Sequence, residues 1–423
     1  MSEPSAEALR RPVHHVRTSC RACGEARLTR FLQLGPQPLA NANLRALAEA
    51  ADELTFPLDV YFCEACSLVQ LADVIDPELL FRNYIYVTGT SETIAAHNVT
   101  YARTVTDLLG LGGEDLVVEV ASNDGSLLTC FRDLGVRTLG VEPARNIAEI
   151  ARGRGIETVG EFFNGATGAH LRGARGAARA VIGNNVLAHV DDTQDFLRGA
   201  KALIGGDGLV IVEVPYARTM LERLEYDTVY HEHLCYFSIT SLMRLCEAVG
   251  LSVVRVDQVP VHGGSLRMYA GLPEHYGTTS AGVRALAHDE RVSGLTSLER
   301  WRQFARDVET QRVQLRALLE GLVRDGKTIA GYGAPAKGNT LLNYCGIGPE
   351  LVPYTVDRSA LKVGTLTPGM HLPVLPVDTL LERQPDYVLI LAWNFAVEIM
   401  RQQQAYRDAG GRFIVPIPEP TVI

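Results

Sequence analysis

An α/β fold in three parts is what this 423-residue sequence predicts, and three observations predict it. Two Cys-x-x-Cys pairs lie within the first 66 residues; from Asp115 short β-branched apolar runs alternate with helical patterns; and a second strand–turn–helix pattern opens at Thr328. A chain this long exceeds what one core holds, so two or three domains are expected. The formal charge of −9 gives no electrostatic reason to bind nucleic acid or an anionic membrane. A polyanionic ligand would therefore need a local basic pocket. No apolar run reaches about 18 residues, and the first 13 residues are polar and contain arginine, so neither a membrane span nor a signal peptide is expected. The protein is expected in the cytoplasm.

The first element is the pair of knuckles, Cys20-Arg-Ala-Cys23 and Cys63-Glu-Ala-Cys66, with 39 residues between them. Two thiolates two residues apart can grip one tetrahedral ion, and two such knuckles close the shell with no position left for water. Cys20, Cys23, Cys63 and Cys66 thus predict a structural zinc site. Two disulfides or four unrelated thiols are the alternatives, and nothing else in the chain reads as secreted. The spacing requires an excursion, residues 34–58, to loop out between the knuckles. Residues 75–86 then connect, running into the aromatic and hydroxyl-rich Tyr84-Ile-Tyr-Val-Thr-Gly-Thr-Ser91. That stretch is either a packed linker or a loop that lends a phenol to an active site.

Next comes the alternating region. Strands are expected at 116–121, 137–141, 156–159, 179–183 and 209–214, with helices over 126–134, up to 152, near 162–171 and over 192–204. Apolar strands alternating with helices mean a doubly wound parallel sheet, which binds ligands at the carboxyl ends of its strands. After the first strand, Glu119, Ala121, Asn123, Asp124 and Gly125 occupy the place of a glycine fingerprint, with Gly125 letting backbone approach a ligand. The second strand ends in Glu142-Pro143, an acid suited to accept hydrogen bonds from ribose hydroxyls. A dinucleotide would want Gly-x-Gly-x-x-Gly to seat its pyrophosphate, and acids here would repel one. They suit a cation, and S-adenosylmethionine is a sulfonium with an α-amino group. Phe162 and Phe163 are candidates for the adenine platform, and Asn184 ends the fourth strand.

A second cluster is Tyr226-Asp-Thr-Val-Tyr-His-Glu-His233. A metal site would want its histidines four apart on a helix. The one-residue gap between His231 and His233 suits only an extended segment that puts both on one face, which leaves a polar loop or an acid/base constellation.

The last third opens with a charged, helically periodic linker, residues 282–325, whose apolar stripe is Leu295, Leu298, Trp301 and Phe304. Gly331-Tyr-Gly-Ala-Pro-Ala-Lys337 then reads as a glycine turn at a helix start with a lysine beside it. That is a phosphate site or a packing turn. Strands at 354–357 and 387–393 end in Asp357 and in Trp393-Asn394.

Taken together, the two knuckles, Ser122-Asn-Asp-Gly125, Tyr230-His-Glu-His233, Pro260-Val-His-Gly-Gly264 and the 331–337 turn resemble the nucleotide-sugar C-methyltransferases, nearest the C-3 enzymes acting on TDP-4-keto deoxysugars. The resemblance runs from Cys20 to the C-terminus. It implies a zinc-binding module at 14–85, an S-adenosylmethionine-dependent methyltransferase domain at 86–280, and linker helices with a C-terminal Rossmann-like, nucleotide-sugar-binding domain at 281–423. It further implies His233 as base with Glu232 as its partner and Tyr230 beside it, and Tyr84 and His189 as contacts to the keto group. Tyr332, Lys337, Asn339, Asp357, Trp393, Asn394, His262 and Gly263 are the expected sugar-nucleotide contacts. A monomer acting on a nucleotide sugar in deoxysugar and antibiotic biosynthesis is implied, without nucleic-acid or membrane partners. His231 between Tyr230 and Glu232 departs from the C-3 enzymes, and C-5 methylation shares the architecture. An NAD-dependent sugar-nucleotide oxidoreductase or epimerase, or a zinc-containing binding module, are the remaining alternatives.

Overall fold

The computed structural model describes residues 13–82, 92–259 and 264–423, with backbone alone at 92 and 93. Tyr84, His262 and Gly263 lie outside the described residues. The chain begins with strands β1 (His14–Val16), β2 (Leu28–Pro38), β3 (Thr55–Cys63), β4 (Val69–Leu71) and β5 (Asp73–Ile75), then helices α1 (Pro77–Phe81) and α2 (Glu92–Leu109). The expected excursion between the knuckles is a long β2–β3 hairpin whose loop contains a 3-10 turn over Leu47–Asp52. Leu44 in that loop bridges to Leu366 near the other end of the chain.

The central sheet is built from β6 (Leu116–Val120), α3 (Ser126–Asp133), β7 (Arg137–Val141), α4 (Arg145–Gly153), β8 (Thr158–Val159), α5 (Gly165–Arg175), β9 (Ala178–Asn184), α6 (Thr193–Leu203) and β10 (Ile204–Pro215). Every residue of β6 is buried, Glu119 included, as a strand in a sheet covered on both faces requires. The order β8-β7-β6-β9-β10 is parallel. After α7 (Ala217–Arg223), strand β11 (Cys235–Tyr236) and α8 (Ile239–Val249), strands β12 (Ser252–Val259) and β13 (Ser265–Gly271) extend the sheet antiparallel beyond β10. Those two strands, absent from the sequence reading, make the sheet mixed rather than wholly parallel.

Strand β11 does not join the central sheet. It pairs with β4, so the cysteine-held sheet runs β11-β4-β3-β2 and incorporates chain from the central region. A short helix α9 (Pro273–Tyr276) leads to the linker, which is a helix pair, α10 (Ala281–Val292) and α11 (Leu298–Arg324). Trp301 and Phe304 are buried as the apolar stripe predicts, and the Trp301 ring packs 5.5 Å from Phe31 on β2. The C-terminal sheet has β14 (Ile329–Tyr332), α12 (Ala336–Cys345), β15 (Thr355–Asp357), β16 (Val374–Pro376), β17 (Tyr387–Ile390), β18 (Arg412–Val415) and β19 (Thr421–Val422), in the order β16-β15-β14-β17-β18-β19. Its strands are parallel except β19. No helix among the described residues is long and apolar enough to cross a membrane.

Candidate functional site

In the central sheet the chain runs outward from β6 to β8 and returns on the other side through β9, so the switch point lies between β6 and β9. Glu119 pairs in register with Ile182. Two residues further on, Ala121 is therefore level with Asn184, and the turn after β6 meets the end of β9. That turn is strained: Ala121, Asn123 and Gly125 all have positive φ, at 54°, 49° and 72°. Non-glycine residues held there concentrate at functional sites.

Glu142 holds the turn in place. Its Oε2 accepts the Asn123 N–H at 2.9 Å and its Oε1 the Ala144 N–H at 2.8 Å, the latter just past Pro143. Burial pushes the Glu142 carboxyl up while these two donors pull it down. Glu119 is buried, its Oε2 has no hydrogen-bond partner among the described residues, and burial lifts its pKa well above the usual range, with Asp124 and Glu142 adding to the effect. Asp124 is wholly buried and ion-paired with Arg154 at 2.7 Å. Three carboxyl groups are gathered at this turn, with Asp124 paired to Arg154, an environment that favours a cationic ligand.

Two expectations for this site change. Gly125 does not leave room for ligand: a Cβ there would lie 3.0 Å from Ile156 Cγ1 and 3.3 Å from Ala151 Cβ, inside the protein. Its role is the left-handed turn and the packing of α3. Phe163 is core, edge-on to Phe196 at 5.3 Å, because it points back beneath α6. Phe162 alone is half-exposed, with the Arg82 guanidinium 5.1 Å from its ring centroid. Arg82, which sequence reasoning missed, also donates to the Pro143 carbonyl at 3.3 Å.

Five residues beyond Asn184, whose Oδ1 is buried without a partner among the described residues, a 3-10 turn over Leu187–His189 presents His189. The His189 ring meets His233 at 4.9 Å, edge to face. Burial pushes the His189 imidazole down to about 4, against a hydrogen bond to the Glu232 backbone, so it is neutral near pH 7.

His233 closes a tight turn, its N–H bonded to the Tyr230 carbonyl at 2.8 Å. The segment is thus not extended, and His231 and His233 do not share a face. His233 Nδ1 donates to the Thr228 carbonyl at 2.8 Å; a carbonyl only accepts, so the neutral ring carries its proton on Nδ1. Nε2 then keeps its lone pair and accepts the Tyr230 hydroxyl at 2.8 Å. His231 is buried the other way, donating to the Pro57 carbonyl at 3.1 Å. Glu232 does not orient His233 either. Its Oε1 accepts Asn41 Nδ2 at 2.7 Å, and burial pushes its carboxyl up to about 7, opposed by Asn41 and Lys362.

In the C-terminal sheet the switch point lies between β14 and β17, whose ends, Tyr332 and Ile390, are in register. The side chains gathered there face the segment that leads into Tyr230 and His233. Trp393 Nε1 donates to Asp227 Oδ2 at 2.6 Å, and Lys337 Nζ sits 4.2 Å from the Trp393 ring centroid. Burial pulls the Lys337 ammonium down, and Asp227 and Glu225 are the charges that oppose it. Asp227 is wholly buried and pushed up to about 6 by that burial. Asn339 donates to the Ala40 carbonyl at 2.8 Å, and Asp357 takes the Ala334 and Ser359 N–H groups at 2.7 Å each. Asn394 is exposed. Lys337, Trp393 and Asn339 are therefore engaged with the other two parts of the chain, not turned to open crevice. Lys362, half-buried near Glu232 and bonded to the Ala334 carbonyl at 2.7 Å, is a further cation at this junction. Its signal was available: the chain has only four lysines, Lys201, Lys327, Lys337 and Lys362, and arginine fills every other basic position.

The four cysteine sulfurs all lie within 4.8 Å of one another, with Cys20–Cys66 at 3.5 Å and Cys23–Cys63 at 3.6 Å. Tetrahedral Zn–S bonds of about 2.3 Å give edges of about 3.8 Å, so this donor set fits zinc and is too open for disulfides.

Residues 20–81 match the family described as "Putative zinc binding domain", 95–256 a methyltransferase domain, and 260–418 the C-methyltransferase C-terminal domain. Over 404 residues the chain is 41% identical to the C-methyltransferase NovU of Streptomyces niveus, covering 96% of each. Among solved structures, a magnesium protoporphyrin IX methyltransferase from Synechocystis with bound SAH shares 14% identity over 46% of this chain and 91% of its own, at a TM-score of 0.33. The CcbJ methyltransferase of Streptomyces caelestis shares 15% identity over 40% of this chain and 88% of its own, also at 0.33. Likeness that low carries no weight for the site.

Proposed function

The chain belongs to the C-methyltransferase family, and from that premise we propose that it methylates a nucleotide-linked 4-keto deoxysugar, at C-3, through an enolate. The enzyme draws its methyl group from S-adenosylmethionine and carries a structural zinc site. A saturated sugar carbon is not a nucleophile. Beside a ketone, however, its proton can be removed, and the enolate so formed attacks the sulfonium methyl in line.

The observation that carries this reading is the array Thr228–His233–Tyr230 against His189 at the end of β9. The Thr228 carbonyl fixes the Nδ1–H tautomer, so Nε2 is the basic nitrogen and its lone pair is directed at the Tyr230 hydroxyl. With substrate bound, Nε2 takes the α-proton and the phenol is released to hydrogen-bond the enolate oxygen. A base works best with a pKa near the working pH. His189, held down near 4, is a poor base and is assigned to contact the keto group, as is Tyr84. The acidic turn of Glu119, Asn123 and Glu142 receives the donor, with Ala121, Pro143, Phe162 and Asn184 around it. The junction of Tyr332, Lys362, Asp357 and Asn394 is assigned to the nucleotide side, and so are His262 and Gly263.

The test is methyl incorporation from labelled donor into TDP-4-keto-6-deoxyhexoses, with the methylated carbon located by NMR. A methyl at C-3 supports the reading in full. A methyl at C-5, the other carbon flanking the ketone, would keep the enolate and replace the position; methyl on oxygen would overturn both.

A further inference from the structure

The turn bearing His233 and the turn bearing His189 belong to different stretches of chain, and the cysteine-held module is tied to both. Leu234 donates its N–H to the Ala188 carbonyl at 2.7 Å, joining the stretches directly. Beyond that bond, Leu71 of β4 donates to the Leu234 carbonyl at 3.0 Å, and β4 pairs with β11 through Gln70 and Cys235. On the other side, Asp191 follows His189 by two residues.

Arg21 stands between these anchors. It sits inside the first knuckle, between Cys20 and Cys23, and its side chain is completely buried. Nε and Nη2 reach Asp191 Oδ1 at 3.1 and 3.0 Å; Nη1 reaches Gln70 Oε1 at 3.2 Å and the Leu71 carbonyl. The Arg21 and Ala22 carbonyls accept Thr193 Oγ1 at 3.0 Å and Gln194 Nε2 at 3.1 Å. One planar fork therefore spans the strand bonded to Leu234, next to His233, and the acid two residues beyond His189, which Arg17 Nη1 also reaches at 3.2 Å. A rigid guanidinium suits that task; a flexible ammonium does not.

We propose that Arg21 is a positioning residue for the reaction: it makes the cysteine-held knuckle part of the active-site geometry by fixing the His189 and His233 rings against each other. The inference rests on the proposed reading for its catalytic consequence, but not for its geometry. Misplacement of catalytic groups by about 1 Å can cost about a hundredfold. Zinc content need not change, since no sulfur moves.

The experiment uses full-length Arg21→Lys and Asp191→Asn proteins with zinc measured per chain. The first readout needs no substrate: ring-nitrogen NMR of 15N-histidine protein, with His189→Asn and His233→Asn for assignment. The expected result is altered signals for both histidines in zinc-replete variants. The second is solvent-deuterium exchange and methyl transfer with TDP-4-keto-6-deoxyglucose, exchange being read with S-adenosylhomocysteine bound. Here kcat should fall roughly 10- to 100-fold with both Michaelis constants within about twofold. Should Arg21→Lys lose zinc or precipitate, Asp191→Asn decides, because Asp191 is one-third exposed and its isostere keeps the shape. Zinc-replete Asp191→Asn with unchanged histidine signals overturns the proposal. If the wild-type protein neither exchanges nor methylates this sugar, the reaction assignment is at fault and the NMR still decides the positioning.

Discussion

His233 and His231 are one residue apart and chemically identical, yet their hydrogen bonds separate them. The Nε2 of His233 is basic and faces a phenol, whereas the Nε2 of His231 is a donor buried on the Pro57 carbonyl. His233→Asn should therefore cut turnover by about 10² to 10⁴ and abolish solvent exchange of the sugar α-hydrogen, with donor binding retained. His231→Asn should lower the melting temperature and leave most of the exchange; the reverse pattern in the two assays would reassign the base. Glu232 gives a pH signature. Its carboxyl keeps its proton to about pH 7 when folded, against about 4.3 in an unfolded chain. Between those values the folded state binds more protons, so stability falls as pH rises. Glu232→Gln keeps the acceptor for Asn41 and removes that slope. Its stability relative to the parent should rise by up to about 3 kcal/mol between pH 4 and pH 8, read from denaturant melts. The role of Glu232 was not legible in the sequence, where a carboxylate between two imidazoles reads as their partner; Asn41 lies on a distant loop.

Elements were more legible than their partners. Strands β6, β7, β9 and β10 and helices α3 and α6 fall where apolar runs and periodicity place them, because each is decided within about ten residues. The β12–β13 pair was missed, and so was β11, whose two residues acquire strand geometry only by pairing with β4. The donor turn shows the same limit. Its sequence marks Gly125 as special, but only the packing of α3 against α4 reveals why: the left-handed φ of 72° and the approach of Ile156 exclude a side chain. Gly125→Val should consequently destabilise the fold by roughly 2–4 kcal/mol, from strain plus overpacking. A thermal melt equal to that of the parent, with donor binding lost, would return the residue to a ligand-facing role.

At the scale of the whole molecule, three parts converge on one turn. Asn41 from the cysteine-held module bonds Glu232, Trp393 from the C-terminal sheet bonds Asp227, and the Lys337 charge faces Asp227 and Glu225. A glycine turn followed by a lysine reads as a phosphate site, and what the sequence alone could not disclose is that the lysine meets Asp227 and Glu225, just before the turn bearing Tyr230 and His233. Two roles for Lys337 then predict different kinetics. A contact to a pyrophosphate is made equally in the ground and transition states, so Lys337→Ala would raise the Michaelis constant for the nucleotide sugar and leave kcat intact. A cation that neutralises Asp227 acts on the turn itself, two residues before the Val229 carbonyl that Thr340 of the same helix also binds at 3.1 Å. Removing it leaves a buried carboxylate held by the indole and by the Asp227 and Thr228 backbone alone among the described residues, with no cation to offset its burial, and the turn bearing Tyr230 and His233 must shift or Asp227 must take a proton. The distances favour this second role. Lys337→Ala is accordingly expected to lower kcat at least tenfold while the donor's Michaelis constant holds, and Asp227→Asn, which removes the charge that needs neutralising, should restore part of the loss in the double variant. Steady-state kinetics on the four proteins of that cycle would show it; a pure rise in the sugar's Michaelis constant, with no rescue, would put Lys337 on the phosphates instead.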